Sequence, residues 1–123
     1  MREFSMLILV LALLMQHNNK LAVACPAENN QKPLIGTSVL EVRDGNEGDL
    51  APDDERTVNG SVEQRWDLDA YRKGSSKMLL RCEYRDSKDK LTFDIPPAMH
   101  HCTKTFRAGA HGMPVDAPRM VCN

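Results

Sequence analysis

The chain has 123 residues, with 16 basic and 17 acidic side chains, four cysteines and six aromatic residues. This length corresponds to one small domain. The near-neutral charge argues against a nucleic-acid-binding protein, because such proteins carry a basic surplus or stripe. No apolar run reaches the roughly 18–20 residues of a membrane-spanning helix. A composition of 41% hydrophobic and 27% charged residues is that of a folded protein.

The first 24 residues have the three zones of a secretory signal peptide. Arg2 gives a positive start, residues 6–15 are an apolar run, and Ala22-Val23-Ala24 is the small-x-small pattern that signal peptidase reads. We therefore predict a signal peptide over residues 1–24 and a single β-rich domain over residues 25–123. The expected location is the periplasm or the cell exterior.

Cys25 becomes the first residue of the mature chain if cleavage follows Ala24. Residues 21–25 loosely resemble a bacterial lipobox, in which this cysteine carries a lipid anchor. Two features favour export without a lipid. Lys20 and the polar residues 16–19 separate the apolar run from Cys25, and acylation would leave an odd number of cysteines. A lipid anchor on Cys25 is therefore the disfavoured alternative.

Period-two alternation of apolar and polar residues dominates the mature chain, and helical periodicity is nearly absent. It predicts strands around residues 39–43, 62–68, 80–84, 91–95, 102–106 and 120–122. Asn59-Gly60 predicts a two-residue hairpin turn, residues 86–89 a hairpin loop, and Pro96-Pro97 the end of a strand. Residues 44–56 and 108–118 are expected to be surface loops. The predicted fold class is all-β and mainly antiparallel. We expect a small disulfide-stapled meander, sandwich-like or barrel-like, of about six short strands.

Disulfides are expected because the core is small and the protein is exported with an even number of cysteines. We predict a Cys82–Cys102 bond, since the strand carrying Cys102 should turn back after the prolines and lie beside the hairpin that carries Cys82. Cys25 and Cys122 then remain near the two chain ends, which often lie close together. A Cys25–Cys122 bond is therefore the second predicted bridge.

Several short motifs occur in a characteristic order: Cys25-Pro26, then residues 40–45, Trp66-Asp67-Leu68, residues 80–84, residues 91–96 and Cys102. This set resembles a family of small exported bacterial proteins of unknown function. The resemblance covers residues 25–106. It implies a bacterial, extracytoplasmic domain that is not an enzyme, and it transfers no catalytic residue.

His100, His101 and His111, with Met99 and Met113 nearby, are weak candidates for a copper or zinc site, because imidazole and thioether groups suit such metals. Adjacent histidines on a strand point to opposite faces, so only one of the first two can join His111. We interpret the histidines as loop residues and expect no cofactor.

Asp44, Asn46, Gly48 and Glu55 fit four ligand positions of a calcium-binding EF-hand loop. The glycine that this loop requires at its sixth position is Asp49 here, and no helices flank the segment. We interpret it as an acidic surface loop.

Charge is segregated along the sequence. Residues 41–69 carry a net charge of −7, and residues 70–107 carry +5. Cross-strand pairing between these regions is the favoured explanation. Alternatively, Asp49, Asp53, Asp54 and Glu55 form an acidic binding loop that attracts a cationic partner.

The function predicted from these patterns is a non-catalytic exported binding module, not an enzyme. Its partner is an unknown protein or cell-envelope component, bound through residues 44–56 and 108–118. One alternative is an inhibitor of a cationic cell-wall hydrolase. Another is a periplasmic copper- or zinc-binding protein. Catalysis is disfavoured because the sequence contains no Gly-x-Ser-x-Gly, His-Glu-x-x-His or Cys-x-x-Cys motif, and carboxylates alone indicate solvation.

Overall fold

The computed structural model describes residues 22–72, 76–112 and 115–123, and these form ten β-strands with two short 3₁₀ turns at Asp69–Tyr71 and Ala110–Gly112. The predicted all-β class is confirmed. The strands are β1 (Val23–Ala24), β2 (Glu28–Asn29), β3 (Lys32–Arg43), β4 (Asn46–Asp49), β5 (Asp54–Val58), β6 (Ser61–Asp67), β7 (Lys77–Tyr84), β8 (Lys90–Asp94), β9 (His101–Arg107) and β10 (Arg119–Cys122).

The strands form two antiparallel sheets. The first has the order β1-β10-β9-β6-β5, and the second has the order β2-β3-β7-β8, with β4 also paired to β3. β2 and β4 lie on the same edge of β3, opposite β7. Yet β1, which precedes β2, and β5, which follows β4, lie at opposite edges of the first sheet. We infer that β3 crosses the first sheet from one edge to the other.

All six strands predicted from alternation are present, as β3, β6, β7, β8, β9 and β10. The Asn59-Gly60 turn is confirmed, with φ values of 51° and 79° at its two residues. Residues 86–89 lie in the β7–β8 hairpin, and Pro96-Pro97 follows β8. The short strands β1 and β2 were not predicted, because two-residue strands carry no alternation.

The expectation that residues 44–56 form a loop was wrong. Asp44 and Gly45 adopt φ values of 52° and 80° and form a second two-residue turn, after which β4 pairs with β3. β5 then begins at Asp54 and pairs with β6. Every residue of β4 and β5 is exposed. The strands therefore lack the apolar alternation by which a strand is recognised in sequence.

The core lies between the two sheets and contains two aromatic side chains with polar atoms. The Trp66 Nε1–H donates a hydrogen bond to the Leu50 carbonyl at 2.8 Å, and the Tyr84 hydroxyl donates to the Pro26 carbonyl at 2.7 Å. Pro26 and Leu50 lie in the two connections that pass from one sheet to the other on either side of β3. These aromatic residues thus hold both connections against the core, which includes Leu34, Val39, Leu68, Met78, Leu80, Ile95, Met99 and Met120.

The disulfide pairing predicted above was wrong. The bonds join Cys25 to Cys82 and Cys102 to Cys122, not Cys82 to Cys102 and Cys25 to Cys122. The prediction placed the strand of Cys102 beside the β7–β8 hairpin, but β9 belongs to the other sheet and pairs with β6 and β10. Cys102 and Cys122 are direct partners in the β9–β10 register. Cys25 follows β1 where the chain leaves the first sheet, and its sulfur reaches Cys82 on β7 of the second.

The bond at Cys25 bears on the predicted processing of the chain. Its sulfur is linked to Cys82, which leaves no thiol there for a lipid. The Cys25 backbone N–H donates to the Met120 carbonyl at 3.1 Å. Cleavage after Ala24 would remove β1 but keep this nitrogen. Export without a lipid anchor and the signal peptide over residues 1–24 stay predictions.

Peptide mapping without reduction should show a peptide containing Cys25 joined to one containing Cys82. The bonds close loops with sequence separations of 57 and 20 residues. Chain-entropy reasoning therefore gives them about 4 and about 3 kcal/mol of stability. The Cys25→Ala/Cys82→Ala variant should lose more unfolding free energy than Cys102→Ala/Cys122→Ala in a urea titration. A mapped Cys82–Cys102 peptide would contradict the structure.

Candidate functional site

The acidic region predicted as a binding loop forms an exposed edge of the molecule. It consists of the Asp44-Gly45 turn, β4, residues 50–53 and β5, and we call it the acidic edge. Asp44, Asp49 and Asp54 are exposed there. Their carboxylates make no ion pair or side-chain hydrogen bond within the described ranges. We call these three the free carboxylates of the acidic edge.

Asp53 has a different role from its neighbours. Its Oδ2 accepts a hydrogen bond from the Asp67 backbone N–H at 2.6 Å, and its Oδ1 accepts one from the Tyr71 hydroxyl at 3.0 Å. This second bond is the main cause that raises the pKa of Tyr71 above its usual value. Asp53 therefore joins the start of β5 to the end of β6 and the first 3₁₀ turn. It was predicted as a binding residue, but its contacts are internal.

Glu55 is also partly engaged, because its Oε1 accepts a hydrogen bond from the Gln64 side chain at 2.7 Å across the β5–β6 pair. Of the four predicted binding-loop residues, the structure thus leaves Asp49 and Asp54 free. It uses Asp53 and Glu55 in contacts that hold β5 in place.

Ion pairs cancel part of the charge segregation. Both terminal nitrogens of Arg81 donate to the carboxylate of Glu47 at 3.0 Å, which joins the basic half of the sequence to the acidic half. These hydrogen bonds are the largest effect that lowers the pKa of Glu47. Other pairs stay within one half, such as Arg56–Glu63 at 2.9 Å and Lys77–Asp94 at 3.2 Å. Within the described ranges, these ion pairs leave five carboxylates of the acidic edge without a cationic partner: Asp44, Asp49, Asp53, Asp54 and Glu55.

The predicted histidine candidates occupy separate positions. The rings of His100 and His101 are 6.2 Å apart at their centroids. His100 Nδ1 lies 2.9 Å from an Asp69 carboxylate oxygen, a contact that lowers the pKa of Asp69. His101 Nδ1 lies 3.2 Å from the Arg65 guanidinium. His111 is in the second 3₁₀ turn.

In the described part of the chain, no three potential metal ligands of the histidine, cysteine or carboxylate type come together. Met99 is buried in the core, and Met113 lies outside the described residues. The residues of the partial calcium pattern are spread over the β3–β4 turn, β4 and β5 and do not form a helix-flanked loop.

A cavity of about 590 Å³ lies between β7, the end of β8 and the first 3₁₀ turn. Its polar groups are engaged in structural contacts. The Arg72 guanidinium donates to the carbonyl oxygens of Pro96, Pro97 and Met99. Lys77 and Asp94 pair with each other across the β7–β8 hairpin. The hydrogen bonds from Arg72 to residues 96–99 were not predicted from the sequence, because the acceptors are backbone carbonyls.

Lys104 is a second residue whose environment was not predicted from the sequence. It is half-buried, and burial lowers its pKa below the usual value. Its Nζ lies 5.6 Å from the centroid of the Phe106 ring. The period-two alternation does indicate this burial, because Lys104 lies on the same face of the strand as Cys102 and Phe106.

These observations define a small disulfide-bonded sandwich of two β-sheets with an acidic edge and exposed loops. Within the described ranges, no helix has the length and apolar character that crossing a membrane requires. A comparison with known protein families matches residues 27–123 to the type VI secretion system Tli immunity proteins, and the chain belongs to this family. The match supports the predicted resemblance to a family of small bacterial proteins and identifies that family. No curated protein and no solved structure matches the chain.

Replacing Asp53 by alanine should lower the unfolding free energy by about 1–2 kcal/mol, because two hydrogen bonds are lost. Asp54→Ala is the matched control and should change stability by less than about 0.5 kcal/mol. Both values can be measured by urea denaturation. In a spectrophotometric tyrosine titration, Asp53→Ala should also move the raised pKa of Tyr71 down towards its usual value. Equal stabilities of the two variants would show that Asp53 is not structural.

Proposed function

We propose that this chain binds and neutralises a toxic effector protein of a type VI secretion system, without itself being an enzyme. The observation that carries the proposal is the family match over residues 27–123, which includes nearly all of the described domain. An immunity protein needs no chemistry of its own, because binding over the working surface of the effector is sufficient. This proposal narrows the binding module expected from the sequence to a protein partner.

We further propose that neutralisation takes place in the periplasm. Two disulfide bonds fit an oxidising compartment. The predicted signal peptide would direct the chain there. A cell-wall hydrolase is one class of toxin that acts in that compartment. The inhibitor of a cationic hydrolase suggested by the sequence is therefore a narrower form of the same proposal.

Protection of cells tests this function directly. Each type VI effector of the bacterium that encodes this chain would be directed to the periplasm of a sensitive host, with and without the full chain. We expect survival to be restored against one effector, and the purified proteins to bind each other. A chain without residues 1–24 is the control for compartment and should not protect. Absence of protection against every effector would contradict the proposal.

The acidic edge supports a further part of the proposal, namely that its free charges attract a cationic surface on the effector. Neutralising two of them by Asp49→Asn/Asp54→Asn should slow association several-fold at low ionic strength and leave dissociation unchanged. Added salt should remove the difference, because screening acts within about 10 Å at 0.1 M salt.

Asp86→Asn/Asp89→Asn makes the same charge change in the β7–β8 hairpin and serves as the matched control. Equal association rates for the two double variants at low salt would exclude a role for the acidic edge. Stopped-flow fluorescence with the purified effector measures these rates.

A further inference from the structure

Two exposed apolar side chains lie at the same cleft. Ile35 is 48% exposed and Val115 is 58% exposed. Both line a cleft of about 240 Å³ between the start of β3 and the segment that precedes β10. Ile35 lies at an irregularity in the β3–β7 pairing between Leu34 and Gly36, and such a bulge redirects a side chain. In the isolated chain, these side chains are in contact with water. A partner that covers them would bury apolar surface, which stabilises a complex.

The cleft carries a free positive charge. Arg85 lines it, and its guanidinium takes part in no ion pair or side-chain hydrogen bond with the residues that the structure describes. The carboxylate at the cleft, Asp116, is already paired with Arg107 at 3.4 Å. The cleft therefore combines an apolar surface with a cation, and it fits a segment that has an apolar side chain next to a carboxylate.

We propose that the cleft of Ile35 and Val115 receives a segment of the effector that has an apolar side chain next to a carboxylate. In this arrangement, the apolar side chain enters between Ile35 and Val115, and the carboxylate pairs with Arg85. The inference rests on the proposed function, since it names the surface by which the effector is held.

The test measures affinity for the purified effector that the protection experiment identifies. Ile35→Asp/Val115→Asp should weaken binding about 30-fold or more, mainly by faster dissociation, since a charge then occupies the apolar contact. Arg85→Glu should weaken it about tenfold through repulsion of the carboxylate. Ala98→Asp is the control, because Ala98 is exposed in the turn after β8 and belongs to neither the cleft nor the acidic edge. It should change affinity less than twofold.

The outcomes separate this inference from the function on which it rests. If the unaltered chain neither protects nor binds, the proposed function is wrong. If the unaltered chain binds but the double aspartate variant binds as well as Ala98→Asp, the cleft is not the effector surface. Thermal unfolding and disulfide mapping establish that each variant is folded. Should an aspartate variant unfold, Ile35→Ala/Val115→Ala decides the question, and unchanged affinity would overturn the proposal.

A second copy of the chain is the rival occupant. Light scattering of the unaltered protein would then show a dimer that Ile35→Asp abolishes, with effector affinity unaffected, and this result would also overturn the proposal. A monomer whose effector affinity falls in the cleft variants is the expected result.

Discussion

The bond between Cys25 and Cys82 is the constraint on which the arrangement of the two sheets depends. Cys25 follows the strand that pairs with β10 in the first sheet, whereas Cys82 lies on the buried face of β7 in the second. Beside it, the Tyr84 hydroxyl holds the Pro26 carbonyl, so the same connection is fixed by a covalent and a polar contact. On the other side of β3, Trp66 holds the Leu50 carbonyl in a similar way. With few aromatic residues available for the core, the position of the two connections depends on these contacts.

The parts of the fold that could be predicted from sequence are those decided by neighbouring residues. Alternation reveals the strands that bury one face, such as β7, and Asn59-Gly60 reveals its turn because both positions require positive φ. The disulfide pairing failed because it depends on which sheet each strand joins. Nothing near Cys102 in the sequence shows that β9 pairs with β6 instead of β8. The exposed strands β4 and β5 escaped recognition because neither buries a face.

The candidate site was predictable to the same degree. The sequence shows that the segment is acidic, and the structure distinguishes its members by their contacts. Asp53 and Asp54 are adjacent and identical in type, yet Asp53 accepts two hydrogen bonds and Asp54 accepts none from a described side chain or backbone. Composition cannot separate a carboxylate that holds the fold from one that is free to meet a partner. The exposure of Ile35 was not predicted for a related reason, since an isoleucine in a strand is normally assigned to the core.

Electrostatic attraction acts over a longer distance than apolar contact, so the two affect different steps of binding. In the proposed complex, the free carboxylates of the acidic edge would act over about a Debye length and so change how often the effector arrives in a suitable orientation. The proposed contact at Ile35 and Val115 would act only after water has been excluded and so change how long the effector stays bound.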